Sequence, residues 1–260
     1  MGFTSKVCRS KRAMKITIAC ILGVLIGSSG SVLGDEARMP DPIMLEKGQI
    51  VLSKPFESAG EVDNKSMAFR KLTHFEIKDG VLHALPPSIA LKGQESNSQW
   101  ATSTFARAGL LNVPPEFVCQ FRWKYNSPAD EKLRKSGLAY IDLGHRCIRV
   151  TMTPTGSVLI LENHLVGREE RLSVVLQEVP DLKLEAEKWY EVTVEVKGDE
   201  VVFQIDGQIL YGRHPLIAKE RYDKFNIDVN GEGFVWDEVT IWAAGDFRSD
   251  WYNRRQEMSL

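Results

Sequence analysis

Three acids stand among apolar residues in the stretch FNIDVNGEGFVWDEVTIW: Asp228, Asp237 and Glu238. Paired carboxylates can perform acid–base chemistry on a sugar bond, and carboxylates at alternate loop positions can hold calcium. Read as two strands, 224–229 and 233–242, around an Asn-Gly turn, the stretch predicts a β-hairpin. Its neighbouring Asp237 and Glu238 then point to opposite faces and cannot act as a pair. Val235, Asp237, Val239 and Ile241 share one face, while Phe234, Trp236, Glu238, Thr240 and Trp242 share the other. DVNGEG matches the start of a calcium loop, but the twelfth position is Val239 where a bidentate Glu is required, and flanking helices are not predicted. Asp228 is therefore expected in the hairpin, and Asp237 as a structural acid satisfying a turn or an arginine. Glu238 alone stays open to a site.

A second constellation lies in GLAYIDLG and CIRVTMT. Period two puts Tyr140 with Asp142 on one side of the first segment, and Arg149 with Thr151 on one side of the second. As neighbouring strands they would form a polar, aromatic-bearing patch suited to a sugar, through ring stacking and directed hydrogen bonds. An ordinary solvated sheet face would use the same letters. His164, in LENHLVG, follows a predicted strand end and is either at a site or in a solvated loop. No G-x-S-x-G, H-E-x-x-H, C-x-x-C, phosphate loop or E-x-D-x-x-E strand is present. The chain thus implies no cofactor and no metal.

The elements that must position these residues read as β-strands. Short runs of period two are separated by Gly, Asp, Asn and Pro. HFEIKDGVLHAL is a hairpin around Asp79-Gly80, and EFVCQFRWKY places Phe117, Cys119, Phe121, Trp123 and Tyr125 on one core face. WYEVTVEVKGDEVVFQIDGQILYG predicts a three-stranded meander over 189–212. About twelve strands without a helical repeat predict an all-β, antiparallel sandwich or jelly roll. One short helix is expected over 214–222, opened by Pro215. The charged tail 246–260 is expected as a docked helix or a loose end.

Upstream, Lys6, Arg9, Lys11, Arg12 and Lys15 precede an apolar run from Ile16 to Ile26 and a small-residue stretch, the layout of a secretory signal peptide cut after Gly34. The run is shorter than a membrane span requires. Residues 35–47 then form a polar lead-in and 48–245 one sandwich domain. Removal of 1–34 leaves 28 basic against 35 acidic residues, a formal charge of −7, which makes nucleic acid a poor partner. Cys119 and Cys147 remain, bridged or as two buried thiols. The expected location is secreted or periplasmic.

The order of segments resembles the secreted 3-keto-disaccharide hydrolase family (domain of unknown function 1080), a concanavalin-like jelly roll. HFEIKDGVLHAL, EFVCQFRWKY, KSGLAYI, the meander and GFVWDEVTIW match its early D-G-x-L turn, aromatic strand, N-S-G-I element, meander and closing strand, over roughly 71–242. Two elements depart: CIRVTMTP has Arg149 and Thr151 where that family carries Glu and Gln, and IDVNG replaces its Q-D-H-G turn. The resemblance implies a carbohydrate ligand or substrate. A hydrolase would use Asp142 or Glu162 as acid/base, with Arg149 orienting a modified glycoside. A lectin-like module would hold a glycan with Tyr140, Arg149 and Trp236, and Thr151, His164 and Glu238 complete the candidate contacts. A structural cell-envelope protein is the third reading.

Overall fold

The computed structural model describes residues 39–53, 56, 67–69, 73–90, 92, 103–128, 130–144, 147–163, 172–219 and 223–258. Fifteen strands are present among them: β1 (Leu45–Ser53), β2 (Met67–Phe69), β3 (His74–Lys78), β4 (Val81–Leu85), β5 (Phe105–Leu111), β6 (Phe117–Tyr125), β7 (Leu138–Leu143), β8 (Ile148–Thr153), β9 (Gly156–Asn163), β10 (Leu172–Val179), β11 (Trp189–Lys197), β12 (Glu200–Ile205), β13 (Gln208–Arg213), β14 (Lys224–Asn230) and β15 (Phe234–Phe247). They form two antiparallel sheets. The eight-stranded sheet runs β13-β12-β11-β6-β15-β4-β3 with β1 added beside β15, and the seven-stranded sheet runs β10-β9-β8-β7-β14-β5-β2.

Alternation explains the two layers. Phe117, Cys119, Phe121, Trp123 and Tyr125 of β6 face Ile141, Ile148, Val150, Leu159, Phe225 and Ile227 of the other sheet within one continuous core. Each inward side chain removes its apolar surface from water, worth about 1.5–3 kcal/mol for a large one. The Asp79-Gly80 hairpin and the β11-β12-β13 meander have the expected pairing. Cys119 and Cys147 are both buried and are not bridged to one another.

The segment around Asp228 folds differently from the predicted hairpin. β14 lies in the seven-stranded sheet and β15 in the eight-stranded one, so the turn between them carries the chain across the sandwich. Both strands bury a face in the same core, with Phe225 stacked on Trp236 at 6.1 Å, and that burial outweighs the local turn preference. Gly233, at φ 91°, passes so close to the Ala84 carbonyl that a Cβ would overlap its oxygen. Gly233→Ala is therefore expected to lower unfolding stability by about 2 kcal/mol or more, read from a urea melt.

The helices are also placed differently. Residues 214–219 give only a single 3-10 turn, Ile217–Lys219, after His214 caps it by accepting from the Leu216 N–H (3.2 Å). The α-helices are α1 (Pro87–Ala90), α2 (Glu131–Lys135) and α3 (Trp251–Met258). In α2, Asp130 accepts from the Lys132 N–H at 2.7 Å as N-cap. The C-terminal residues do form a docked helix: Trp251 is buried against Met44, Leu45, Val118 and Val202 on the outer face of the eight-stranded sheet. The same face is crossed by the chain from Pro40 to Leu45. Its Ile43, Met44 and Leu45 N–H groups donate to the Glu195 carboxylate at 2.9, 2.9 and 2.7 Å. No helix among the described residues is long and apolar enough to cross a membrane.

Candidate functional site

The outward face of the seven-stranded sheet is the polar one. β7 alternates Ala139, Ile141 and Leu143 into the core with Tyr140 and Asp142 outward, and β8 alternates Ile148, Val150 and Met152 inward with Arg149 and Thr151 outward. The two strands pair so that Tyr140 opposes Thr151 and Asp142 opposes Arg149. The condition for a shared patch, that the two strands be neighbours, is met.

Arg149 organises the cluster. Its Nε donates to Asp142 Oδ1 at 2.6 Å, its Nη1 donates to Glu162 Oε1 at 3.2 Å, and its guanidinium carbon lies 4.5 Å from the centre of the Tyr140 ring. Glu162 comes from β9, next to β8. Asp142 is fully buried, and its second oxygen, Oδ2, has no hydrogen-bond partner among the described residues. Burial raises the Asp142 pKa above the usual carboxylate value and nearby Asp228 adds to the rise, while Arg149 pulls it back.

Three residues that the spacing argument did not assign to a site extend the patch. Asp228, on β14, is central to the polar face and accepts from both Nε and Nη2 of Arg107 on β5. Phe105, two residues before Arg107, lies parallel to Tyr140 with ring centres 6.4 Å apart. The signal was present in FARAGLL, where Phe105 and Arg107 alternate with Ala106 and Ala108. It was masked because that strand carries so few polar letters.

Other expected contacts do not join the cluster. Trp236 is wholly buried between the sheets, against Phe56, Phe121 and Phe225. The cause is a bulge: Glu238 and Val239 together oppose Phe121, with Glu238 at φ 52°, so Trp236, Val239 and Ile241 all turn to the core. Glu238 belongs to the opposite sheet, where its carboxylate lies 3.4 Å from Arg122. Asp237 does satisfy an arginine, accepting from Arg122 Nε and Nη2 at 3.0 and 2.7 Å. His164 lies outside the described residues. Among the described residues no group of three or more His, Cys, Asp or Glu side chains is arranged to hold a metal.

Chemically, the patch offers hydrogen-bond donors and acceptors beside an aromatic ring on a rigid sheet. Both of its nearer acids are engaged by one arginine. No family model matches the chain, and no curated protein matches it either. Solved structures do. LamA from Zobellia galactanivorans, in complex with laminaritriose and laminaritetraose, is 12% identical with a TM-score of 0.53, over 76% of this chain and 100% of that one. A GlcNAcα1-4Gal-releasing endo-β-galactosidase from Clostridium perfringens is 11% identical with a TM-score of 0.50, over 79% of this chain. The chain spans only 65% of that enzyme's length. Likeness at such low identity is one of fold, and the chain is an all-β, concanavalin-like jelly-roll sandwich.

Proposed function

We propose that this is a secreted or periplasmic carbohydrate-active sandwich, released from a leader cut after Gly34, that holds a glycan on the polar face of its seven-stranded sheet. Tyr140, Arg149 and Thr151 make the contacts, and Asp142 positions Arg149. The observation carrying this reading is the Arg149 guanidinium, fixed between Asp142 and Glu162 and over Tyr140. A planar donor fork fixed in this way, with no partner for Nη2 among the described residues, suits the paired oxygens of a sugar. Binding is favoured over hydrolysis for a physical reason. A glycosidase needs open space between its two carboxyl groups for the scissile bond, and here the guanidinium bridges them.

A second reading has one observation in its favour. The raised pKa of Asp142, and an Oδ2 without a partner among the described residues, are what a general acid needs, and cleavage of a modified, 3-keto glycoside by Asp142 or Glu162 would follow. The test is a glycan array and calorimetry on residues 35–260, beside turnover of plain and 3-keto glycosides. The expected result is binding without release of free sugar, and a loss of about tenfold in affinity in Tyr140→Ala with the unfolding midpoint little changed. Turnover by the parent chain that disappears in Asp142→Asn would replace the binding reading with the hydrolase.

A further inference from the structure

We propose that the site continues across the strands as a groove for a neutral oligosaccharide chain, ending at Glu178; this rests on the carbohydrate reading above. The antiparallel registers put Asp228, Tyr140, Thr151, Val158 and Glu178 opposite one another on β14, β7, β8, β9 and β10, all outward. At about 4.8 Å between strands, Tyr140 and Glu178 stand about 14 Å apart, more than one sugar ring covers. The far part of this row is hollow. A cavity of about 220 Å³ is lined there by Thr151, Thr153, Val158, Glu178 and Pro180.

The groups in that hollow are open to a ligand. The Thr151 hydroxyl and the Glu178 carboxylate make no hydrogen bond or ion pair among the described residues. By contrast, Thr153 is held by Thr155 and the Gly156 carbonyl and serves as wall. Val158 offers an apolar spot between the two polar groups, matching a sugar ring with its C–H face flanked by hydroxyls. Among the described residues β10 is the last strand of its sheet, so the row ends at a sheet edge. A carboxylate with no cation paired to it among the described residues accepts hydroxyl protons and repels anionic sugars.

The experiment is calorimetry with laminari- and cello-oligosaccharides of two to six units, and with a uronate-containing tetramer, on the parent chain, Glu178→Ala, Glu178→Gln and Tyr140→Ala. Affinity is expected to rise by about two- to tenfold between two and four neutral units and to be lost for the uronate. Glu178→Ala brings the tetramer down to the dimer's affinity, Glu178→Gln admits the uronate, and Tyr140→Ala weakens every length alike. Equal affinity for two and four units would overturn the groove while leaving the glycan site standing. Absence of binding by any length, matched by an empty glycan array, would overturn both.

Discussion

Arg149→Met is expected to destabilise the folded chain by about 3–5 kcal/mol near neutral pH, and by much less near pH 4. The substitution keeps the volume and removes the charge, so it leaves Asp142 buried with neither of its oxygens paired to a cation. Breaking a buried pair from one side carries a cost of this size because the remaining charge loses its compensation. The pH dependence follows from the direction of the Asp142 shift. Its folded pKa is already above the ordinary aspartate value, by burial first, and Arg149 is the largest influence pulling it down. Without Arg149 it rises further. A carboxyl whose pKa is raised on folding contributes stability below its unfolded pKa and loses that contribution as pH rises through the folded value. The deficit of the variant is therefore small below the parent's folded pKa, where Asp142 is protonated in both proteins, and it grows as pH rises from there toward the higher folded pKa of the variant. Urea melts at pH 4 and pH 7 measure it. The double variant Asp142→Asn, Arg149→Met should recover much of the loss, because a neutral pair has no buried charge to strand. A deficit equal at both pH values would show that lost packing, not the charge, is responsible.

The second large effect is on the opposite face. Glu195→Ala is expected to cost about 3–5 kcal/mol and to release the chain between Pro40 and Leu45. Three N–H groups, from Ile43, Met44 and Leu45, donate to this one carboxylate, and Met44 and Leu45 are fully buried. Each donor left without an acceptor in such a place costs about 1–3 kcal/mol. Met44 and Leu45 also pack on Trp251, so freeing them loosens α3. Glu195→Gln keeps one acceptor oxygen but turns an N–H₂ toward donors, and should recover only part of the stability. Amide exchange at Met44 and Leu45, with the unfolding midpoint, reads both consequences. Unchanged protection at those two amides in Glu195→Ala would show that the segment is held by its apolar contacts instead. The carbonyls of Pro40 and Asp41 supply further ties, accepting from Gln120, Thr193 and Gln204.

Much of the scaffold was legible because period two is a local signal. EFVCQFRWKY had to bury its aromatics together, the Asp79-Gly80 and Asp206-Gly207 turns had to reverse the chain, and alternation put Tyr140 with Asp142, and Arg149 with Thr151, on one side of their strands, while the pairing of those two strands stayed a condition. Asp237 was legible as a structural acid that must satisfy a turn or an arginine, because an acid among valines needs a partner, and the structure supplies Arg122. Other features were not written locally. The bulge at Glu238 reverses the alternation of half a strand, and no single letter announces it, so Trp236 read as outward when it is core. Phe105 and Arg107 lie more than thirty residues before Tyr140 and Asp142, and β14 alone, pairing with both β5 and β7, brings them together.

By itself, then, the amino-acid order determined the class of fold and one pair of strands bearing Tyr140, Asp142, Arg149 and Thr151. Alternation and turn chemistry act over a few residues and can be read from them. Only the tertiary structure decided that Asp228 crosses to the sheet opposite Asp237 and Glu238, that Arg149 bridges Asp142 and Glu162, and that Glu195 receives a segment about 150 residues distant. These outcomes follow from which faces can share a core and which buried charges find partners. Both are set by packing between segments far apart in the chain.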